Sequence, residues 1–173
     1  MTPERLDAYR RLRGLLDEWR PPESMDLRLE GFVEHAWRQL QPTGVSWLGF
    51  YHLDPSDSDA MVLGPRRDRP ACSPIGLHGV CGQSLRSGRT RIVADVLELG
   101  DRYVACDPRD RSEVVIPLRL ESGGPHPADT VLDLDSFEPG GFSDDDDHWL
   151  RECLIRAELP PLEVEAGRSG GPG

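Results

Sequence analysis

The order of the apolar patterns along the chain constrains its fold more than any single motif does. Two amphipathic helices are predicted at 3–19 and 27–41, because apolar residues recur there every three or four positions. Strand-like segments follow, interrupted by an irregular middle region, and a last helix is predicted after Ser143. This order favours an α+β domain with a mainly antiparallel central sheet, flanked by N-terminal and C-terminal helices.

The length of the chain fits one such domain. Its 173 residues are enough to bury a hydrophobic core. We expect residues 1–157 to form this domain, with the two N-terminal helices included. Residues 158–173 are rich in proline and glycine, which predicts a flexible C-terminal tail.

The charge balance excludes several classes of partner. The net charge is −11, from 31 acidic against 20 basic residues, and this charge repels nucleic acid and anionic membrane surfaces. No apolar run is long enough for a transmembrane helix, and the N-terminus lacks the apolar segment of a secretory signal. We therefore expect a cytoplasmic protein whose four cysteines are free thiols, metal ligands or catalytic groups rather than disulfides.

Period-two patterns predict strands on both sides of the irregular middle region. In the first strand the period places Trp47 and Tyr51 on one face, and Leu48 and Phe50 on the other. The aromatic pair could enclose an apolar group of a ligand or could simply pack in the core. The predicted strands are 45–53, 60–63, 91–94, 113–120 and 130–135, with a short helix at 79–85 and a long irregular loop at 95–112.

Three cysteines, Cys72, Cys81 and Cys106, fall between turn-forming residues of the middle region. They are separated by 9 and 25 residues, which is unlike the closely paired ligands of zinc sites, and the histidines form no pair either. A metal site is therefore not expected. Loop cysteines close to acidic residues indicate thiol chemistry rather than packing.

Two acidic residues on the last predicted strand form a second signal. Asp133 and Asp135 point to one face of the strand, because they are two residues apart, while Leu132 and Leu134 point to the other. This pattern has two interpretations: a solvated face near a sheet edge, or a buried pocket for a ligand ammonium group. Glu113, at the start of the preceding strand, could add a third carboxylate.

The chain resembles the free methionine-(R)-sulfoxide reductases, which are single GAF domains. The resemblance runs from about Trp47 to Leu150 and includes the cysteines and acidic residues described above. The strings that carry it are Trp47-Leu48-Gly49-Phe50-Tyr51, Pro70-Ala71-Cys72, Gly79-Val80-Cys81-Gly82, Ala105-Cys106-Asp107, Ser112-Glu113-Val114-Val115-Ile116-Pro117 and Val131-Leu132-Asp133-Leu134-Asp135.

The resemblance implies a thiol mechanism without a cofactor. Cys106 would attack the sulfur of free methionine-(R)-sulfoxide, release methionine and become a sulfenic acid. Cys72, or else Cys81, would convert that sulfenic acid into an intramolecular disulfide, which thioredoxin would reduce. The resemblance also implies a homodimer.

The same resemblance assigns the substrate-binding residues. Glu113, Asp133 and Asp135 would hold the amino group and help to protonate the departing oxygen, while Trp47 and Tyr51 would surround the methylthio end. The alternative is a non-catalytic GAF sensor that binds a small ligand or uses its cysteines as a redox switch. The loop before Cys81 and the loop before Cys106 depart from the usual pattern of the reductases.

Overall fold

The computed structural model describes residues 1–69, 71–102, 106–121 and 123–162. Within these ranges, four α-helices pack around one six-stranded sheet. The helices are α1 (Pro3–Glu18), α2 (Met25–Leu40), α3 (Val80–Ser87) and α4 (Asp144–Arg156), with 3-10 segments at Gln41–Thr43 and Val96–Arg102. The strands are β1 (Trp47–Asp54), β2 (Asp57–Arg67), β3 (Ile75–Gly76), β4 (Arg91–Val93), β5 (Ser112–Leu118) and β6 (Thr130–Ser136).

The sheet has the order β3-β2-β1-β6-β5-β4, and every neighbouring pair in it is antiparallel. Strands β1 and β6 are therefore central although they lie far apart in the chain. The predicted α+β class with a mainly antiparallel sheet is confirmed. Among the described helices, none combines the length and apolar character needed to cross a bilayer.

The two faces of the sheet bury different sets of residues, as the period-two patterns predicted. Leu48 and Phe50 of β1, with Leu132 and Leu134 of β6, pack against α1, α2 and α4 in the larger core. The alternate residues of the same strands form a smaller cluster with α3 on the opposite face. This cluster contains Trp47, Tyr51, Met61, Leu77, Val80, Cys81, Leu85, Val115, Ala128 and Val131.

A buried carboxylate joins the first helix to the last. The Asp146 carboxylate accepts hydrogen bonds from the backbone N–H and the hydroxyl of Ser143, both at 2.9 Å, which fixes the start of α4. Its other oxygen accepts from Arg5 Nη1 at 3.1 Å and from the Tyr9 hydroxyl at 2.9 Å. The acidic run after Ser143 is thus a helix start, as the sequence predicted.

Strand β2 is longer than the predicted strand at 60–63. It continues through Pro65, which the sequence placed in a proline-rich loop. Gly49 pairs with Arg66 and Tyr51 with Leu63, so β2 carries one residue more than β1 across this interval. This bulge accommodates a proline, which has no N–H to donate to a partner strand.

Other element boundaries also differ from the predictions. Helix α2 begins two residues before position 27, and strand β5 ends at Leu118 instead of 120 because the next N–H groups take another partner. The N–H groups of Leu120 and Glu121 donate to the Asp129 carboxylate at 3.0 and 2.9 Å. The two-residue strand β3 was not predicted, and the loop predicted as irregular at 95–112 contains a 3-10 segment.

The first residues of the predicted tail pack against the domain. Leu159 is fully buried, the Leu162 N–H donates to the Pro117 carbonyl at 2.9 Å, and Pro161 forms a β-bridge with Leu118. For 158–162 the prediction of flexibility is therefore corrected, because apolar side chains and backbone bonds hold this segment. The remaining residues, 163–173, lie outside the described ranges.

We expect Asp146→Asn to destabilise the domain by about 3 kcal/mol or more, because it leaves the buried guanidinium of Arg5 without its counter-charge. Urea denaturation measures this difference. Asp144→Asn, an exposed position in the same helical turn, is the control and should change the free energy of unfolding by less than about 0.5 kcal/mol. Equal effects of the two variants would contradict the structural role of Asp146.

Candidate active site

Two adjacent strands, β5 and β6, place acidic side chains on the same face of the sheet. Asp135 of β6 pairs with Glu113 of β5 on one side and with Trp47 of β1 on the other. Asp133, two residues earlier, pairs with Gly49 and lies on the same face. Carboxylate oxygens of Glu113, Asp133 and Asp135 all lie within 4.8 Å of one another. The acids are therefore grouped in the middle of the sheet, and the interpretation as a solvated sheet edge is wrong.

A glycine on β1 makes room for the aromatic wall of this site. A Cβ atom at Gly49 would lie 2.5 Å from the Trp47 ring and 2.7 Å from the Cβ of Arg66. The indole therefore lies across Gly49, next to its strand neighbour Asp133. The Trp47 Nε1–H donates to the Arg69 carbonyl at 3.1 Å, which fixes the ring orientation.

The predicted aromatic pair is present and faces the acids. The ring centroids of Trp47 and Tyr51 are 6.0 Å apart, with 32° between the ring planes. The Tyr51 hydroxyl donates to the Cys72 carbonyl at 2.9 Å and so joins β1 to the loop that carries this cysteine. Burial raises the pKa of Tyr51, and the charges of Asp133 and the nearby thiols raise it further.

Cys81 is the buried thiol of the site. It lies in the first turn of α3, and its Sγ donates to Asp133 Oδ2 at 3.4 Å. The tight approach of α3 depends on Gly82, since a Cβ there would lie 2.2 Å from the Cα of Leu77. Burial raises the pKa of the Cys81 thiol well above its ordinary value, and the charges of Asp133 and Glu113 add to this effect.

Cys106 and Cys72 lie on exposed loops and are neighbours. Both are free thiols. The pKa of Cys106 is raised to about 12, first by burial of its thiol and then by the neighbouring Cys72 thiol, while the Asp133 charge contributes less. The structure thus brings the first and third cysteines of the irregular region together.

The carboxyl groups of the site favour the protonated form. Burial raises the pKa of Glu113 to about 8, with further contributions from the charges of Asp135 and Asp110. Burial also raises the pKa values of Asp133 and Asp135 well above the ordinary range. One oxygen of Glu113 and one of Asp133 are buried without a hydrogen-bond partner among the described residues. A ligand that donates hydrogen bonds would satisfy them.

These groups share one pocket, whose empty volume of about 780 Å³ includes open solvent and is within the range of small-molecule sites. All of the predicted site residues line it except Cys72, which lies beside it through its contacts with Tyr51 and Cys106. The lining residues are Trp47, Tyr51, Arg69, Ala71, Ile75, Gly76, Gly79, Val80, Cys81, Cys106, Asp107, Asp110, Glu113, Asp133 and Asp135.

Three charged lining residues were not predicted as part of the site. Arg69 Nη1 donates to Asp107 Oδ2 at 3.0 Å, and its Nη2 donates to the Ser46 carbonyl at 2.9 Å. Asp110 is buried, which raises its pKa to about 6, although a hydrogen bond from the Ser46 hydroxyl lowers it. Asp107 follows a cysteine directly, which is a signal that could have been used. Nothing in the sequence pattern marks Arg69 or Asp110.

The acid cluster suits a positively charged group. Carboxylate oxygens are ligands that hard cations prefer, so Glu113, Asp133 and Asp135 could hold a metal ion as well as an ammonium group. The prediction that no metal site is present rested on cysteine and histidine spacing, in which these acids take no part. An aromatic wall and two thiols beside the cluster fit an organic cation better than a fully coordinated metal ion.

A family model described as the GAF domain matches residues 26–153. The chain belongs to the GAF domain family. This GAF domain is 36% identical over 118 residues to the free methionine-R-sulfoxide reductase of Escherichia coli, covering 67% of this chain and 66% of that protein. It is 32% identical over 121 residues to the protein of the same name from Saccharomyces cerevisiae, covering 69% and 64%.

Solved structures extend the similarity to the fold. The free methionine-R-sulfoxide reductase from Neisseria meningitidis, in complex with its substrate, matches this GAF domain with a TM-score of 0.70 and 27% identity. That match covers 88% of this chain and 85% of the other. The alignments with the two curated relatives span slightly less than two thirds of each relative's length. The resemblance inferred from the motifs is confirmed.

We expect Glu113→Gln to stabilise this GAF domain at high pH. The contribution of Glu113 to the free energy of unfolding of the wild type is greatest below about pH 4.3, the pKa of an unfolded glutamate. It decreases as the pH rises towards about 8, because the unfolded chain ionises before the buried group does. At pH 9 the variant should be more stable than the wild type by about 2 kcal/mol, and at pH 4 the two should agree within about 1 kcal/mol.

Thermal or urea denaturation across pH 4–9 measures this difference, with Glu121→Gln, an exposed position, as the control. A difference between Glu113→Gln and the wild type that does not change with pH would contradict the raised pKa of Glu113.

Proposed function

We propose that this GAF domain is an enzyme that reduces free L-methionine-(R)-sulfoxide to L-methionine. The observation that carries the proposal is the composition of its one shared pocket. Two thiols and an aromatic pair face three clustered carboxyl groups, and two of these carboxyl groups have an oxygen that lacks a partner among the described residues. The relatives that bear this name support the same activity.

The pocket offers complementary groups for the two ends of such a substrate. The ammonium group of a free amino acid would pair with the acid cluster, where Asp133 and Asp135 lie on the central strand. The methylthio end would contact the aromatic faces of Trp47 and Tyr51, which already pack together. A methionine sulfoxide inside a peptide has an amide in place of the α-ammonium group, so the acid cluster would select against it.

In the first step the sulfur of Cys106 attacks the sulfoxide sulfur. The S–O bond breaks, the oxygen is transferred to the cysteine, and methionine leaves as the thioether. Methionine sulfoxide and the Cys106 thiol thus give methionine and the Cys106 sulfenic acid, so the sulfur of methionine is reduced and that of cysteine is oxidised. Glu113, protonated at neutral pH because its pKa is about 8, supplies a proton to the oxygen as the bond breaks, and the proton that the Cys106 thiol loses restores the acid form of Glu113.

In the second step a neighbouring thiol attacks the sulfenic acid, and water leaves as the disulfide forms. Cys72 is our choice for this resolving thiol, because it is exposed and lies close enough to Cys106 to raise the pKa of that thiol. Cys81 is the other candidate, but it is buried and donates its hydrogen bond to Asp133. A Cys72–Cys106 disulfide would lie in exposed loops, where the dithiol of thioredoxin could reduce it by exchange.

The setting of this chemistry is also part of the proposal. We propose a cytoplasmic location, where thioredoxin keeps cysteine thiols reduced. The acid cluster, the thiols and the aromatic pair would come from one protomer, and the homodimer remains a prediction. That residues 1–157 form a single domain carrying this activity is likewise a prediction.

We expect the purified protein, with thioredoxin, thioredoxin reductase and NADPH, to consume free L-methionine-(R)-sulfoxide but neither the S epimer nor a peptide-bound sulfoxide. Cys106→Ser should remove turnover, and Cys72→Ser should release about one methionine per site and then stop, because the sulfenic acid persists. NADPH oxidation and chromatographic quantification of methionine measure both effects, with Cys153→Ser, outside the pocket, as the control.

A chelator in the assay should leave the rate unchanged, which tests whether a metal ion takes part. NADPH oxidation that is no faster with the R epimer than without substrate would contradict the proposed enzyme and favour the sensor alternative. Multiple turnovers by Cys106→Ser would contradict the assignment of the attacking thiol.

We expect kcat/KM to fall as the pH rises through about 8, because Glu113 then loses the proton that it donates. The groups that face it are Asp110, Asp135 and Asp133, all of which favour retention of the proton. Glu113→Gln should lower kcat by about 100-fold or more, and its residual rate should no longer fall near pH 8. A fall that persists unchanged in Glu113→Gln would assign the titration to another group.

A further inference from the structure

An ion pair joins the two loops that carry Cys72 and Cys106. Arg69 lies three residues before Cys72, Asp107 directly follows Cys106, and Arg69 Nη1 donates to Asp107 Oδ2 at 3.0 Å. Among the residues that the structure describes, it is the only salt bridge between these loops. The ion pair therefore lies one residue from Cys106 and three residues from Cys72 in the chain.

Each partner of this pair is held by its own surroundings. The Arg69 guanidinium also donates to the Ser46 carbonyl at 2.9 Å and lies 5.1 Å from the centre of the Phe137 ring. Asp107 receives two hydrogen bonds from the side chain of Arg109, at 3.0 and 2.7 Å, and one from the Arg109 backbone N–H at 3.0 Å. Arg109 lies against the same Phe137 ring at 4.6 Å. The ion pair thus connects two anchored side chains.

Disulfide formation depends on how often two such loops bring their thiols together. A disulfide requires the two Cβ atoms to come within about 3.5–4.5 Å of each other, so a small shift of either loop reduces the fraction of time spent in reach. Cys72 lies close enough to Cys106 to raise the pKa of the Cys106 thiol, so the loops already hold the two cysteines near each other. The side chains of Arg69 and Asp107 are 32% and 23% exposed, so salt screens their pair only in part.

We propose that Arg69 is a positioning residue for the second chemical step: its ion pair with Asp107 holds the Cys72 loop against the Cys106 loop so that the disulfide forms. The proposal rests on the proposed function only in taking these two cysteines as the attacking and resolving thiols. In this role the Arg69 side chain acts through Asp107 and not by contact with the sulfur of Cys72 or Cys106. Its backbone carbonyl, which accepts from Trp47, remains in any side-chain variant.

The test uses glutathione as well as methionine sulfoxide, so that it does not depend on the reductase activity. With oxidised glutathione, the two thiols and one glutathione disulfide give the protein disulfide and two reduced glutathiones, and the equilibrium constant measures the effective concentration of one thiol for the other. Peptide mapping identifies the cysteines that pair. We expect a Cys72–Cys106 disulfide in the wild type, and an equilibrium constant about fivefold lower in Arg69→Met.

Two variants separate positioning from a general loss of structure. Arg69→Lys keeps the charge and should recover most of the effect, whereas Asp107→Asn should behave like Arg69→Met. Arg111→Met is the matched control, because its salt bridge with Asp95 is exposed to a similar degree but does not connect the loops, and it should change the equilibrium by less than about twofold. High salt should reduce the difference between the wild type and Arg69→Met.

A single-turnover experiment with methionine-(R)-sulfoxide supplies the second readout. Release of methionine and loss of the sulfenic acid, trapped with dimedone, are measured separately. Arg69→Met should lower the rate constant for loss of the sulfenic acid by about fivefold. The proposal is overturned if Arg69→Met and the wild type form the disulfide with equal equilibrium constants, or if mapping shows that Cys81 pairs with Cys106. The proposed function alone fails if the disulfide forms as expected but methionine sulfoxide is not reduced.

Discussion

The burial of three carboxyl groups at the centre of a sheet is the constraint on which the rest of the structure depends. Asp133 and Asp135 lie on β6, which has a hydrogen-bonded strand on each side. The alternate residues Leu132 and Leu134 point to the opposite face of the sheet, where they are fully buried in the larger core. Because side chains alternate along a strand, the leucines that fix the register also fix the direction of the acids. A slip of one residue would exchange the two sets, so the core determines the site.

A second buried acid in the same molecule shows what a purely structural carboxylate looks like. Asp146 accepts four hydrogen bonds, from Ser143, Arg5 and Tyr9, and both of its oxygens are satisfied. Glu113 and Asp133 each keep a buried oxygen without such a partner in the described part of the chain. Leaving a buried polar group unsatisfied costs about 1–3 kcal/mol. The contrast indicates that the acids of the pocket are arranged for a ligand, not for the stability of the free protein.

Sequence patterns predicted the parts of this design that depend on local periodicity. The faces of β1 and β6 follow from alternation of apolar and polar residues, and the start of α4 follows from Ser143 and the acids after it. Periodicity says nothing about which strands become neighbours, so the approach of Glu113 to Asp135 required the family resemblance or the structure. Arg69 was missed for the same reason, since its partner Asp107 is distant in the chain. The extension of β2 through Pro65 was missed because a bulge is a property of the strand pair, not of one strand.

The thiols of the pocket differ from a cysteine that is reactive because it is already ionised to the thiolate. Redox-sensing cysteines usually have a lowered pKa and a positively charged neighbour. Here burial and nearby groups raise the pKa of Cys106 to about 12. Burial beside Asp133 raises the pKa of Cys81 well above its ordinary value. Such a thiol reacts slowly with a general oxidant, and its reactivity has to come from a substrate that the site activates. In the proposed reaction, a protonated carboxyl group beside the sulfoxide oxygen would supply that activation, because it would turn the oxygen into a better leaving group. The acid cluster that disfavours a thiolate sensor is therefore the feature that suits a sulfoxide reductase.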